Sequence, residues 1–185
     1  MRTTFVKACT LIVASIALSV SAFAQQLQVG SPAPGITPPT WLNGKPITKF
    51  EKGQVYVVEF WATWCEPCIK AMPATSKLSD DLKGKVTFIG VNVMDRKDPD
   101  TRQPEDAKSH EERITEWVKA NKKNLRYRVV LDDDKDTLVE NWLLASDPTG
   151  ISIPKVFIVG KDGKIAWIGH PGEMKAALDA ALAAK

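Results

Sequence analysis

A chain of 185 residues with 44% hydrophobic and 25% charged residues has the size of one globular domain, and it is neither apolar enough for a multispanning membrane protein nor polar enough for intrinsic disorder. Two of the basic residues behind the net charge of +3, Arg2 and Lys7, lie in a segment read below as removable, so the remainder is close to neutral and carries no compositional footprint for nucleic acid or anionic membrane. Of the three cysteines, Cys9 lies in that same segment, which excludes a disulfide-dense miniprotein and leaves Cys65 and Cys68.

The first 24 residues read as an address. A short basic stretch, Met1 to Lys7, precedes a mostly apolar run from Ala8 to Val20, and Ala22-Phe23-Ala24 supplies small residues at the outer positions of a cleavage site. The competing reading is an uncleaved anchor. A bilayer core needs about 20 apolar residues, whereas this run is shorter and diluted by Thr10, Ser15, Ser19 and Ser21. The expectation is therefore a signal peptide over 1–24 and a single domain over 25–185.

Further along, 25–50 is rich in Pro, Gly and Thr, and its Asn43-Gly44 turn signal predicts a short hairpin in an irregular lead-in. Val55 to Phe60 is a compact β-branched and aromatic run, hence a buried strand. Pro67 to about Leu82 reads as a helix with Pro67 in its first turn and a kink at Pro73. Val86 to Val93 is a second apolar strand, and Asp95 to Lys108 a polar surface loop. Ser109-His110-Glu111-Glu112 fits a capping box, followed by a helix with Ile114, Trp117 and Val118 on one stripe. Tyr127 to Leu131 reads as a short strand and Thr137 to Leu144 as a short helix. Lys155 to Val159 and Lys164 to Ile168 flank the turn Lys161-Asp162-Gly163, and a final helix carries Met174, Ala177, Leu178, Ala181 and Leu182. This alternation predicts an α/β fold, a mixed central sheet with helices on both faces.

The chemistry concentrates in Cys65-Glu66-Pro67-Cys68, placed after a buried strand and at the opening of a helix. Backbone N–H groups and the positive end of the helix dipole favour a thiolate on Cys65, which makes it a nucleophile near neutral pH. Cys68, one turn further in, is placed to attack a mixed disulfide on Cys65 and release the partner. Glu66 acts in the opposite direction, since a neighbouring carboxylate disfavours a second anion. Two plainer readings stand beside this one. A structural staple closing four residues is worth only about 2 kcal/mol, against about 3 for a fifteen-residue loop. A zinc or copper site would recruit further ligands, and His110 and His170 stand sixty positions apart without metal-type spacing. A copper-handling protein using the two thiolates as Cu(I) ligands is the alternative function.

The stretch Val58-Glu59-Phe60-Trp61-Ala62-Thr63-Trp64-Cys65-Glu66-Pro67-Cys68, with Pro73 five residues on, resembles the active-site segment of thioredoxin-fold proteins. It is most similar to the TlpA/ResA-like branch of bacterial extracytoplasmic thiol–disulfide oxidoreductases, and the likeness continues through Ile153-Pro154-Lys155-Val156-Phe157 and Lys161-Asp162-Gly163-Lys164. The resemblance implies a thioredoxin-like domain with an N-terminal extension, and a βα insertion made of the helix and strand that end at Leu131. It implies a cis-proline at Pro154 facing the cysteines, a buried acid at Glu59 serving Cys68, and a docking contact at Trp64. Burial would raise the Glu59 pKa and suit it to proton transfer. Further expectations are reduction of protein disulfides in the periplasm, a membrane thiol donor of the DsbD/CcdA type, a monomer, and no cofactor, since the electrons sit in the cysteine pair. Substrates stay open, from apocytochromes in cytochrome c maturation to copper-site proteins. Ala71 stands where CEPC-bearing ResA-type proteins have an acid, and Ile153 where they more often have Thr. Val58 and Ala62 stand where peroxiredoxins need Pro and Thr/Ser.

The leader reading has a direct check. Mass spectrometry of protein exported in a bacterial host should find an N-terminus at or near Gln25 and solubility without detergent; an intact Met1-containing chain recovered only from membranes would establish the anchor instead.

Overall fold

The computed structural model describes residues 26–37, 40–97, 103–104 and 106–184; the expected leader, 1–24, lies outside them. Six strands form one sheet in the order β1-β4-β3-β2-β5-β6, with β1 Thr40–Asn43, β2 Val55–Trp61, β3 Val86–Asn92, β4 Arg128–Leu131, β5 Lys155–Val159 and β6 Ile165–Gly169. The pairs β2–β3 and β3–β4 are parallel; β1–β4, β2–β5 and β5–β6 are antiparallel. The sheet is therefore mixed, with β2 at its centre and buried along its whole length.

Successive residues of β2 point to opposite faces, and the two faces have different cover. Val55, Val57 and Trp61 pack with α1 (Glu66–Asp81), α2 (Ala107–Ala120) and α3 (Met174–Ala183), through Cys68, Met72, Ile114, Val118, Met174 and Leu178. Tyr56, Val58 and Phe60 pack with Leu138, Val139, Trp142 and Leu143 of a helical segment whose centre, Val139–Leu144, is π-wound, and with Leu27 and Ile36 from the N-terminal stretch. Helices thus lie on both faces, three against one.

Several local expectations are corrected. The hairpin around Asn43-Gly44 does not form: this stretch supplies the single strand β1, which crosses to pair with β4. Gly44 has φ +82°, and a Cβ there would meet Arg128 Cγ at 2.6 Å, so its turn steers the chain away from the sheet edge. The capping box is displaced by Asp106, whose carboxylate accepts from the N–H groups of Lys108 and Ser109 and from the Ser109 hydroxyl. A carboxylate satisfies two orphan N–H groups where serine reaches one, so the cap and the start of α2 lie three residues earlier than expected. The sequence from Asp95 is not all surface, since the Asp95 side chain is buried. Helix α1 runs on through Pro73 to Asp81.

The second face rests on an aromatic cluster. The Trp142 ring lies 5.1 Å from Phe157 and 6.0 Å from Phe60 and Phe50, and its indole N–H donates to Gly35 O at 3.3 Å. Trp142→Ala should cost about 3–5 kcal/mol in urea denaturation, whereas Trp142→Phe should retain most of the stability; equal loss in both would locate the effect in the indole hydrogen bond.

Candidate functional site

Strand β2 ends at Trp61, and a four-residue turn delivers Cys65 to the N-terminus of α1. Asp95, just beyond β3, holds that turn: its carboxylate accepts from Thr63 N, Thr63 Oγ1 and Asn92 Nδ2, each at 2.7 Å. Arg113 of α2 donates to the Asp95 backbone oxygen, which ties α2 to the same point. Met94 next to it takes φ 59°, a left-handed conformation uncommon outside glycine. Its carbonyl accepts the Trp64 indole N–H at 3.0 Å. Trp64 is 57% exposed and Met94 40%, so the two present an apolar edge beside the cysteines.

Cys65 and Cys68 are joined in a disulfide with their Cα atoms 5.2 Å apart. Cys65 is the N-cap of α1, and its sulfur accepts the Cys68 backbone N–H at 3.3 Å. With the disulfide open, that N–H and the helix dipole face the Cys65 sulfur and stabilise its anion. Cys65 keeps 4% of its surface and Cys68 none, so an incoming sulfur meets Cys65 first. Glu66 points outward and pairs with Lys70 at 2.6 Å, both side chains about three-quarters exposed, which screens its charge from the Cys65 sulfur. Pro67 sits in the first turn, where its missing N–H leaves no helical bond unmade.

The Ile153-Pro154 peptide bond is cis. Strand β5 runs antiparallel to β2 with Phe60 opposite Lys155, so Pro154, one residue before, comes level with Trp61 at the end of the sheet from which the Cys65 turn springs. Pro154 is buried. Between α1 and the approach to α3, a cleft of about 690 Å³ opens beside Pro67, walled by Ala71, Ala74, Leu78, Pro171 and Met174. Its lining also holds Lys70, Lys77, Asp81, His170 and Lys175.

Glu59 lies beneath. It is 1% exposed and shares the sheet face of Trp61, which α1 covers with its buried stripe Cys68, Met72, Thr75 and Ser76. Burial pushes its pKa up to about 7, against the opposing pull of the Tyr127 hydroxyl, which donates to Oε2 at 2.8 Å, and more weakly of the Thr75 hydroxyl. No hydrogen bond joins Glu59 to Cys68, so a proton passing between them needs a mobile carrier or a small rearrangement. Among the described residues, no group of three or more His, Cys, Asp or Glu side chains is placed to hold a metal ion, and no helix is long and apolar enough to cross a membrane.

Three residues of this site escaped the sequence reading. Gly90, paired with Glu59 on β3 and crossed by the Tyr127 ring, had a visible signal, since an isolated glycine inside an apolar strand marks a close approach. Asp95 read as loop polarity, and Tyr127 as one more strand aromatic.

The comparisons with known proteins agree with this geometry. Residues 29–168 match the AhpC/TSA family. Protein FixW of Rhizobium leguminosarum is 32% identical over 147 residues, 79% of this chain and 62% of FixW, so the chain spans about three-fifths of that relative's length. Thiol-disulfide oxidoreductase ResA of a Bacillus cereus strain is 31% identical over 142 residues, 76% of this chain and 69% of ResA. Among solved structures, a thiol:disulfide interchange protein of the thioredoxin family from Chlorobium tepidum TLS superposes with a TM-score of 0.60 at 20% identity, over 82% of this chain and 96% of that one. The fold is thioredoxin-like.

Glu59 leaves a mark on stability. A carboxylate whose folded pKa is raised costs nothing below its ordinary value of 4.5, costs more as pH climbs, and carries the full penalty above about 7. Denaturant melts should show wild type losing about 3 kcal/mol relative to Glu59→Gln between pH 4.5 and 8; parallel curves would mean that the carboxylate is solvated.

Proposed function

The chain belongs to the AhpC/TSA family, it carries a paired-cysteine centre and its relatives include a protein named thiol-disulfide oxidoreductase, and from that premise we propose that it reduces disulfides of exported proteins through Cys65 and Cys68. The observation that carries the reading is the Cys68 N–H on the Cys65 sulfur at a helix N-terminus, with Cys65 keeping a small exposed area and Cys68 fully buried. In the reduced enzyme the Cys65 thiolate attacks a substrate disulfide. A Cys65–substrate S–S bond forms, the substrate S–S bond breaks, and one substrate thiolate leaves. Cys68 then loses its proton to Glu59 and attacks the Cys65 sulfur. The Cys65–Cys68 disulfide forms, the mixed disulfide breaks, and the second substrate thiolate leaves, so two electrons have passed to the substrate.

Trp64 with Met94 offers the substrate an apolar contact, and the backbone at Ile153-Pro154 orients it. Val58 and Ala62 support disulfides over peroxides as the oxidant, since peroxiredoxins carry Pro and Thr/Ser at those positions. The signal-like pattern of 1–24 supports action in the periplasm. A reductase in that oxidising space needs recharging, and the resemblance supports a membrane donor of the DsbD/CcdA type. Apocytochromes and other proteins with exposed cysteine pairs fit as substrates.

Cys68→Ser should accumulate mixed disulfides on Cys65, visible on non-reducing gels, while Cys65→Ser should lose both trapping and turnover of insulin disulfides. A glutathione titration of the wild-type pair should fall toward the reducing end of the range of about −270 to −120 mV found in this fold. Retained reductase activity in Cys65→Ser would show the roles to be wrong, and a potential near the oxidising end would reverse the direction of electron flow.

A further inference from the structure

Glu59, Gly90 and Val129 stand in register across β2, β3 and β4. Tyr127 precedes β4 by one residue and shares the face of Val129, two positions on. Strands β2 and β4 are two spacings apart, about 10 Å, and the Tyr127 side chain spans that distance by crossing β3 where there is no side chain. A Cβ on Gly90 would lie 2.9 Å from Tyr127 Cε2 and 2.9 Å from Trp61 Nε1, closer than real Cβ contacts come. The far end of the ring is then fixed by the hydroxyl on Glu59 Oε2, and the near end by Asn43 Nδ2 on the Tyr127 backbone oxygen at 2.6 Å.

We propose that Tyr127 is a positioning residue for the exchange reaction: reaching over Gly90, its hydroxyl holds the Glu59 carboxylate under α1, oriented to take the Cys68 proton. The inference rests on Glu59 being that proton's acceptor. A hydroxyl bonded to the ionised carboxylate favours that form, and burial beside Glu59 raises the pKa of Tyr127 itself well above the usual phenol value, so it remains a donor throughout the working range. The other titratable group over Glu59 is Cys68 on α1, locked in the disulfide when oxidised. Val156 of β5 and Met174, Leu178 and Ala181 of α3 are apolar, and after burial the influences on Glu59 are the hydroxyls of Tyr127 and, more weakly, Thr75. The tyrosine is thus the main polar influence opposing burial, and Gly90 is the gap that admits it.

The test uses Tyr127→Phe, which keeps the ring and removes the hydroxyl. In the oxidised protein, carbon-13 NMR of the Glu59 carboxyl should show its titration midpoint moving alkaline by about 1–2 pH units. Rapid-mixing kinetics of a mixed disulfide preformed on Cys65 should show resolution by Cys68 slowed about 5–50-fold at pH 7, as the ionised fraction falls with that shift, with recovery toward pH 9. Attack by Cys65 on the first disulfide should be unchanged. Gly90→Ala, which displaces the ring, should move the midpoint the same way; if that variant does not fold, Tyr127→Phe decides alone. A loss of stability with an unmoved midpoint and pH profile would overturn the proposal and leave Tyr127 as packing. Glu59→Gln separates the two levels. Slowed resolution there with an unmoved Tyr127→Phe profile would defeat the tyrosine's role alone, whereas unchanged resolution in Glu59→Gln would remove the acceptor and the tyrosine's role with it.

Discussion

A carboxylate in the middle of the central strand is the constraint around which this site is built. Glu59 occupies the one polar position in the inward-facing row Val55, Val57, Glu59, Trp61, on a strand buried from end to end. Burying a charge without a partner is costly, and here the partner is a neutral phenol rather than a cation. That choice leaves the acid poised near neutrality instead of locked in the ionised form, as an arginine or lysine would leave it. The neighbours follow from it: an open lane at Gly90, a tyrosine long enough to cross β3, and a helix whose buried stripe includes Cys68 and a threonine hydroxyl.

The upper half of the site depends on how strand ends meet. Parallel β2 and β3 finish side by side, so the turns that leave them are adjacent, and Asp95 from one grips Thr63 of the other through both backbone and hydroxyl. Antiparallel β5 begins where β2 ends, which brings Ile153-Pro154 to the same edge. Cys65 therefore sits on a turn held by side-chain hydrogen bonds, while Cys68 sits on the first turn of a packed helix. Such a division suits two sulfurs with different tasks, one to be reached by a partner and one to be shielded from it.

Two acids near the cysteines lie in different surroundings. Glu59 is buried beneath α1 with the Tyr127 hydroxyl on its carboxylate, whereas Glu66 is turned outward to Lys70. Ala71 of α1 lies in the wall of the cleft beside Pro67, whose lining also holds Lys70, Lys77, Asp81 and Lys175.

The sequence by itself determined the elements with strong periodicity and the site with a local signature. The β-branched run 55–60 forms the buried strand its composition favours, Pro67 falls in the first turn of α1 as its position favours, and strand β5 falls where its apolar run predicts. Boundaries set by competing caps were less legible, as Asp106 displacing Ser109 shows: one oxygen of the Asp106 carboxylate takes both free N–H groups while the other takes the hydroxyl of Ser109 itself. The tertiary structure alone decided what crosses between strands: that β1 pairs with β4 rather than with a hairpin neighbour, that Asp95 turns inward, and that Tyr127, sixty-eight positions along the chain, hydrogen-bonds Glu59. Local propensity carries no information about register between distant strands, and register is what puts a glycine between an acid and a tyrosine.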